Sequence, residues 1–376
     1  MARRARGLAA LVAASLLAGP LVGLLAGCGD PGSAVDGPPP KAVGVEGAPV
    51  ALGATGAGQG RTLAAVRARG YLVCGVQQGL IGFAYADNTG RWRGFDTDFC
   101  RATAAAIFGR ADAARFTPTS STERLTVLQA GEVDVLWRNT SATFSRDAKF
   151  DFAGVNYYDG QAFLVRKALG VTHAAQLNGA RICIQTGSTS EMNLTDYFRA
   201  HKLTYEPVVF DTEDKARAAY GREQCDVYTA DLSNLAAARA TLARPGDHLI
   251  LPEVISKEPL GPVVRQGDDA WGNVVRWTLN AMILAEELGV TSANVEALRA
   301  HSDNPEIRRL LGAEPGYGAM IGLSDDFAFQ IIRQVGNYGE VFARNLGPAT
   351  PLKIERGLNA LWNATPPGLL YAPPMR

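Results

Sequence analysis

The sequence has no excess of charge, few histidines and none of the short motifs that mark common metal or catalytic sites. Lysine plus arginine and aspartate plus glutamate number 37 each, which argues against a nucleic-acid-binding surface. The four histidines are scattered, and no Cys-x-x-Cys or His-x-x-x-His spacing occurs. We therefore expect no metal and no cofactor. The sequence also lacks a Gly-x-Ser-x-Gly elbow and a Gly-Lys-Ser/Thr phosphate loop.

The N-terminus has the layout of a signal peptide. Three arginines within residues 3–6 precede a mostly apolar run over residues 8–26, which a Gly-Pro pair interrupts. This order of basic and apolar regions is typical of export signals. The run closes on Leu-Ala-Gly-Cys, which resembles a bacterial lipobox, where the cysteine becomes the lipidated first residue. We expect residues 1–28 to be a lipoprotein signal peptide ending at Cys28, with an ordinary signal peptide as the alternative.

Beyond Cys28 the composition changes twice. Residues 29–60 are rich in glycine, alanine and proline, have little apolar periodicity and read as a flexible tether. The remaining residues, roughly 315 in number, exceed one ordinary core and suggest two lobes. Four further cysteines, at positions 74, 100, 183 and 225, allow three pairings in an exported chain.

From residue 61 the chain alternates predicted strands and helices. This alternation predicts an α/β architecture with mostly parallel sheets flanked by helices. The predicted strands are Leu72–Val76, Val133–Trp137, Ala162–Val165, Arg181–Gln185, Tyr205–Phe210 and Asp226–Thr229. The predicted helices are Leu63–Arg69, Phe99–Phe108, Glu123–Ala130 and those over about 189–201, 212–221, 232–241, 325–336 and 338–345.

A polar turn after one of these strands has the composition of a carboxylate receptor. Asn139, Thr140 and Ser141 follow the strand, and Arg146 comes five residues after Ser141. Guanidinium groups bind both oxygens of a carboxylate in a bidentate fork. The stretch from 134 to 166 resembles the ligand loop of periplasmic amino-acid-binding proteins of ABC transporters, in particular the broad-specificity L-amino-acid-binding group.

That resemblance implies roles for residues in both lobes. Arg146 and Ser141 would bind the ligand carboxylate, and the backbone carbonyl of Asn139 would face the ammonium. In the second lobe Ser188 and Thr189 lie in the turn Gln-Thr-Gly-Ser-Thr-Ser-Glu, which would close over the carboxylate. Helix capping is the alternative role for these two residues.

Asp231 and Gln77 complete the expected site. Asp231 matches the acid that pairs with the α-ammonium, and capping of the following helix is its alternative role. Gln77 lies in the loop that shapes the side-chain pocket. Relatives for cationic amino acids place an acid near Gln77 and an aromatic residue near Leu80. Because this chain has neither, we expect a pocket without fixed charge that tolerates varied side chains.

The resemblance covers about residues 61–310 and implies a type II periplasmic-binding-protein fold. Its other matches include Gly-Phe-Asp at 94–96, Phe-Ala-Gly-Val at 152–155 and the long run over residues 251–262. Lobe 1 would combine residues 61–166 and 257–376, and lobe 2 would span residues 167–256. The crossings would lie near 163–167 and 256–264. The pairs Cys74–Cys100 and Cys183–Cys225 would then keep each disulfide within one lobe.

The resemblance also implies partners. We expect a monomer that binds L-amino acids, passes them to an ABC transporter permease and contacts the membrane through a lipid anchor only. Two other classes stay open. Some proteins of this fold are enzymes, such as periplasmic cyclohexadienyl dehydratases. If this chain were such an enzyme, Glu123 or Glu191 could be its acid or base. Others are ligand-sensing modules.

Overall fold

The structure, a computed structural model, describes residues 60–376. The predicted signal peptide, the lipobox residue Cys28 and nearly all of the tether lie outside the described residues. Within residues 60–376, no helix combines the length and the apolar composition needed to cross a membrane.

Strands and helices alternate along this part of the chain. The strands are β1 (Leu72–Val76), β2 (Tyr85–Ala86), β3 (Trp92–Arg93), β4 (Ala114–Pro118), β5 (Val135–Leu136), β6 (Phe150–Phe152), β7 (Tyr157–Asp159), β8 (Gln161–Arg166), β9 (Ala180–Gln185), β10 (Tyr205–Phe210), β11 (Val227–Asp231), β12 (His248–Ile250), β13 (Glu258–Leu260) and β14 (Val263–Arg265). The helices are α1 (Arg61–Arg69), α2 (Phe95–Phe108), α3 (Arg124–Ala130), α4 (Phe144–Asp147), α5 (Thr189–Ala200), α6 (Glu213–Gly221), α7 (Leu232–Thr241), α8 (Asp269–Glu287), α9 (Val295–His301), α10 (Pro305–Leu310), α11 (Tyr317–Met320), α12 (Phe327–Val335) and α13 (Tyr338–Asn345).

Two five-stranded sheets organise the two lobes. Their strand orders are β4-β1-β5-β14-β6 in lobe 1 and β10-β9-β11-β8-β12 in lobe 2. In each sheet four strands run in the same direction, and one strand, β14 in lobe 1 and β8 in lobe 2, runs antiparallel to them. Each sheet is therefore mixed through a single strand, and the prediction of mostly parallel sheets flanked by helices is confirmed. β8 and β14 follow directly after a crossing between the lobes. Each therefore begins at the end of its sheet where the carboxyl ends of the parallel strands lie.

The first crossing comes earlier than predicted. β8 pairs with β11 over residues 161–165 in the second sheet, so we assign Gln161, and not residue 167, as the start of lobe 2. The crossing itself is the antiparallel pair of β7 and β13, which we call the hinge ribbon. We assign the return crossing to the residues of β13, which pairs with β7.

The side chain of Asn359 occupies the free edge of β7. Its Oδ1 accepts a hydrogen bond from the Tyr158 backbone N–H (2.7 Å), and its Nδ2 donates to the Tyr158 carbonyl (3.0 Å). One carboxamide thus replaces a third strand on the hinge ribbon. The C-terminal segment beyond α13 is in this way bound to the crossing between the lobes.

Lobe 1 is built on an aromatic core. Phe95 of α2 packs edge-on against Phe99 of the same helix, and Phe99 is stacked on the indole of Trp137 at 4.7 Å. Tyr338 and Phe342 of α13 contact Phe95 from the C-terminal side. The helices α12 and α13 were predicted close to these positions, and α12 packs on α2 and α8.

The longest helix of the described residues, α8, was not predicted from the sequence. It buries residues at spacings of three and four, among them Trp271, Val275 and Met282, against lobe 1. Asp268 caps its first turn by accepting a hydrogen bond from the Trp271 backbone N–H (3.3 Å).

Lobe 2 has an apolar cluster on each face of its sheet. Leu164 and Tyr228 belong to one cluster, and the neighbouring residues Phe163 and Val227 belong to the other. Adjacent residues of a strand point to opposite faces, so helices cover both sides of this sheet.

Both predicted disulfides are present. Cys74–Cys100 joins β1 to α2, and Cys183–Cys225 joins β9 to the residues before β11. Each bond lies within one lobe, so neither restricts a motion of one lobe relative to the other.

Candidate functional site

The carboxyl ends of the parallel strands of both lobes face each other across a small cavity. Its volume is about 30 Å³. The lobes touch across it through hydrogen bonds from Gln77 Nε2 to Glu213 Oε2 (2.7 Å) and from Ser121 Oγ to Gln185 Oε1 (3.2 Å). The lobes are therefore closed on each other. The lining residues are Gln77, Ser121, Arg124, Arg138, Asn139, Ser141, Gln185, Ser188, Thr189, Ser190, Glu213, Tyr228, Thr229, Ala230, Asp231 and Asn234.

The turn after β5 carries the expected first-lobe residues. Ser141 is buried and lines the cavity, and Asn139 Nδ2 donates to Asn234 Oδ1 of lobe 2 (3.2 Å). Arg146, by contrast, does not line the cavity. Its Nη1 donates to the Ser141 carbonyl (2.9 Å), and burial lowers the pKa of its guanidinium against the opposing effect of Glu258 and Asp231. The structure thus places Arg146 beside the turn that forms the cavity wall.

The turn between β9 and α5 contributes the lobe 2 hydroxyls. Thr189 Oγ1 donates to Glu258 Oε2 (3.0 Å), whereas Ser188 Oγ donates to the Gln185 carbonyl (2.7 Å). The Ser188 side chain makes no capping hydrogen bond to α5. Gly187 has φ +72° and approaches lobe 1 so closely that a Cβ would lie 2.6 Å from Thr122 Cγ2. Glycine is required there both for the backbone conformation and for the contact between lobes.

Asp231 ends β11 with its carboxylate buried. Its side chain makes no capping hydrogen bond to α7. The side chain of Asp159 instead accepts a hydrogen bond from the first turn of α7, donated by the Ser233 backbone N–H (3.3 Å). Burial raises the pKa of Asp231 well above its ordinary value, and Asp159, Glu258 and Glu213 raise it further. A cation bound beside Asp231 would favour its charged form.

Glu258 is a central residue of the site that no motif in the sequence indicated. It is 2% exposed and accepts hydrogen bonds from both lobes. Ser141 Oγ and Thr189 Oγ1 donate to its Oε2, while Asn193 Nδ2 (2.7 Å) and Ser256 Oγ (2.6 Å) donate to its Oε1. The only signal for it was its place in the 251–262 run.

Glu258 lies directly opposite Asp159 in the hinge ribbon. Burial raises the pKa of Asp159 to about 6, and the charge of Glu258 acts in the same direction. Together with Asp231, these residues concentrate acidic groups where the hinge meets the cavity.

Fixed charges also surround Gln77, which contradicts the expectation of a pocket without them. Arg138 Nη2 donates to Gln77 Oε1 (2.9 Å), and Glu213 accepts from Gln77 on the other side. Arg124 lines the same cavity with its side chain buried. Arg124, Arg138 and Glu213 lie outside the loop around Gln77. The sequence of that loop, in which relatives for cationic amino acids carry an acid, therefore did not indicate these three charged residues.

The two glutamates considered for catalysis make local hydrogen bonds. Glu123 Oε1 accepts from the Ser120 backbone N–H (2.7 Å), and Glu191 Oε2 accepts from the Gly187 N–H (3.1 Å) and Thr186 Oγ1 (3.2 Å). Neither lines the cavity. Within residues 60–376, no group of three or more His, Cys, Asp or Glu side chains is arranged to hold a metal ion.

Comparisons with known proteins agree with this architecture. The chain is 53% identical over 331 residues to the general L-amino acid-binding periplasmic protein AapJ of Rhizobium johnstonii, covering 87% of this chain and 96% of the relative. It is 52% identical to the glutamate/glutamine/aspartate/asparagine-binding protein BztA of Rhodobacter capsulatus, covering 87% and 97%.

A solved structure supports the same assignment. An ABC transporter periplasmic binding protein from Brucella ovis with glutathione bound superposes with a TM-score of 0.82 at 55% identity, covering 84% of this chain and 99% of that one. Residues 72–293 match the family of bacterial extracellular solute-binding proteins, family 3. Two lobes joined by a hinge ribbon around a polar cleft, together with these similarities, show that the chain belongs to the family 3 bacterial extracellular solute-binding proteins.

Proposed function

We propose that this protein captures L-amino acids in the cleft between its lobes and delivers them to the permease of an ABC transporter. The observation that carries the proposal is the pair of hydroxyls, Ser141 from lobe 1 and Thr189 from lobe 2, that donate to the same oxygen of the protein's own Glu258 carboxylate. These donors converge only when the lobes are closed, as in a receptor that closes around a carboxylate.

The cleft also separates positive from negative charge in the way a zwitterion requires. Arg146 lies beside the Ser141 turn, and Asp231 is buried at the end of β11 with its pKa raised. A ligand α-carboxylate that replaced the Glu258 carboxylate at Ser141 and Thr189 would lie on the Arg146 side of the cleft and leave its ammonium facing Asp231. Neither half alone selects an α-amino acid, because an analogue lacking one charge would leave a buried group uncompensated.

The relatives support both parts of the role. Two proteins that share more than half of their residues with this chain carry the names of amino-acid-binding proteins. Glutathione, bound to the Brucella ovis protein, has a free α-ammonium and α-carboxylate at one end. We propose that several L-amino acids bind, because the α-groups common to all of them make the main charged contacts.

A binding role without catalysis fits the contacts of the candidate acids. Glu123 and Glu191 stabilise local loops outside the cavity. A thermal-shift screen of residues 61–376 against the common L-amino acids, with prephenate as a control, tests the function as a whole. Ligands that bind only the folded state raise its melting temperature. Stabilisation by L-amino acids is expected, whereas turnover of prephenate or no response to any amino acid would contradict the proposal.

Arg146→Ala is expected to weaken binding of every L-amino acid by about 3 kcal/mol, the scale for losing one partner of a buried charged contact. The loss should not depend on the side chain, because all ligands share the α-carboxylate. Isothermal titration calorimetry measures it, with the exposed Arg222 changed to alanine as the matched control. Near-wild-type affinity in a folded Arg146 variant would reject the assigned role.

We further propose that Cys28 carries a lipid anchor and that the protein works as a monomer at the membrane surface. Cys28→Ser in the full-length chain is expected to move the protein from the membrane fraction to the soluble exported fraction. Its affinity for amino acids should not change, because the change lies far from the cleft in sequence. Persistence of the Cys28→Ser protein in membranes would show that another segment anchors it.

A further inference from the structure

Another cavity, with mostly apolar walls, lies beside the hinge ribbon. Its volume is about 360 Å³, against about 30 Å³ for the cavity between the lobes. Its lobe 2 wall is one side of α7, formed by Leu232, Ser233, Ala236 and Arg239. The facing wall is the C-terminal segment 352–359, and β7 of the hinge ribbon lies between the two walls. We call this space the rear cavity.

The pairing of the hinge ribbon separates the rear cavity from the ligand cavity. At the outer edge of β13, Leu260 forms an antiparallel bridge with Ser141, which lines the cavity between the lobes. At the outer edge of β7, Asn359 binds the backbone of Tyr158, and both residues line the rear cavity. The two cavities therefore lie at opposite edges of the same ribbon.

The C-terminal wall of the rear cavity is fixed to lobe 1. Arg356 forms two ion-pair contacts with Glu286 of α8, from Nη1 to Oε1 (2.9 Å) and from Nη2 to Oε2 (3.1 Å). Its guanidinium also lies over the rings of Tyr338 and Phe342, 5.1 Å from each centroid. Leu352 is buried in the main apolar cluster of lobe 1. This wall lies outside residues 72–293, the part of the chain that matches the family.

The opposite wall belongs to lobe 2 and begins at the ribbon. The Leu232 backbone N–H donates to the Gly160 carbonyl (2.7 Å), and Asp159 accepts from the Ser233 N–H. Along its length α7 packs on β8 and β11 of lobe 2. α7 therefore moves with lobe 2, and its first turn is held at the hinge.

A rotation of lobe 2 about the ribbon changes the two cavities in opposite directions. Hydrogen bonds join the lobes across the ligand cavity, so ligand entry requires the lobes to separate there. Because the rear cavity lies at the other edge of the ribbon, the same rotation carries α7 toward the C-terminal segment. The rear cavity is the space into which α7 would move.

Two exposed apolar side chains border this space. Val254 of lobe 2 and Leu358 of the C-terminal segment line the rear cavity, and they are 54% and 56% exposed. Contact between the two walls in an open arrangement would remove apolar surface from water. That burial would offset part of the loss of the polar contacts between the lobes.

We propose that the C-terminal segment 352–359 is a stop for lobe opening, which α7 meets when the cleft opens. The size of the rear cavity then sets the balance between open and closed protein, and with it the affinity for every ligand. The inference rests on the proposed function where affinity is its readout, whereas the shape of the ligand-free protein tests it independently.

Ala236→Leu in the full-length chain adds volume to the lobe 2 wall. The larger side chain has room in the closed arrangement and meets the C-terminal segment in the open one. Calorimetry with L-alanine and L-glutamate should show about 5-fold tighter binding of both, by the same factor, because the binding-competent state is more populated. Ala200→Leu, at an exposed alanine of α5, is the matched control and should leave both affinities unchanged.

A substitution on the facing wall repeats the test at an exposed site, where misfolding does not interfere. Leu358→Trp should tighten binding of both amino acids in the same way. Leu369→Trp, at a residue of the C-terminal extension that is 50% exposed and outside the lining of the rear cavity, is its control. Unchanged or weaker binding in the folded variants, or a gain for one ligand alone, would overturn the proposal.

Small-angle scattering without ligand separates this inference from the proposed function. Ala236→Leu and Leu358→Trp should each have a smaller radius of gyration than the wild type, because their open arrangement is restricted. An equal or larger radius in both variants would overturn the proposal. If the wild type binds no amino acid at all, the proposed function fails, and the scattering comparison still decides whether the segment limits opening.

Discussion

Glu258→Ala is expected to lower the free energy of unfolding by about 4 kcal/mol. Glu258 accepts four hydrogen bonds from buried or half-buried donors. Hydrogen bonds to a charged group contribute at least about 1.5 kcal/mol each. Their combined loss exceeds the repulsion from Asp159 and Asp231 that the substitution relieves. Urea denaturation at neutral pH measures the change.

The same substitution should also favour an open arrangement of the lobes. Ser141 of lobe 1 and Thr189 of lobe 2 share one oxygen of Glu258, so its removal deletes a direct connection between lobes. Small-angle scattering of the ligand-free variant should give a larger radius of gyration.

Two further variants serve as references for Glu258. Glu258→Gln keeps the shape and one acceptor oxygen and should lose less stability. Glu296 on α9 is exposed, and its change to alanine should stay within about 0.5 kcal/mol of the wild type. If the Glu258→Ala variant were no less stable than the Glu296 variant, the four hydrogen bonds that Glu258 accepts would make no net contribution to the free energy of unfolding.

Removal of the lobe 2 disulfide is the other large effect. The bond closes a loop of 42 residues between Cys183 and Cys225. The loop-entropy estimate for this length is about 4 kcal/mol, against about 3.5 kcal/mol for the 26-residue separation of Cys74 and Cys100. The double substitution Cys183→Ala and Cys225→Ala is appropriate, because both sites are fully buried in an apolar cluster. Denaturation under oxidising conditions measures the loss.

Reduction of the wild-type protein provides an internal comparison for this disulfide. In excess reductant its lobe 2 should fall to the stability of the double alanine variant, and reductant should leave the variant's lobe 2 unchanged. Equal stability of the oxidised wild type and the variant would show that the loop is already restricted in the unfolded chain.

The order of elements could be read from the sequence wherever a local pattern decided it. The apolar run of β1 and the glycine that ends α3 fix those elements within the chain itself. β8 was predicted as a strand of lobe 1, because its place in the second sheet depends on pairing with residues of β11 that lie 62 or more positions away. Short β5 and β14 likewise depend on their neighbours in the sheet.

The site residues likewise fall into those that the local sequence indicates and those that depend on contacts distant in sequence. Ser141, Thr189 and Asp231 follow strands directly and could be found from their positions. Arg124 and Glu258 could not be found in this way. Arg124 looks like any first residue of a surface helix, and Glu258 looks like any acid in a segment between two lobes. Their importance comes from burial against groups distant in sequence.

The two lobes have almost separate apolar interiors. Ala237 is the one lobe 2 residue in the main lobe 1 cluster of the described chain, and across the cavity the lobes meet through polar pairs such as Gln77 with Glu213. We therefore expect each lobe to unfold as a cooperative unit with its own enthalpy of unfolding, and the ligand-free protein to depart from two-state behaviour. A ligand held by both lobes couples the two units, so saturation should merge overlapping calorimetric transitions into one.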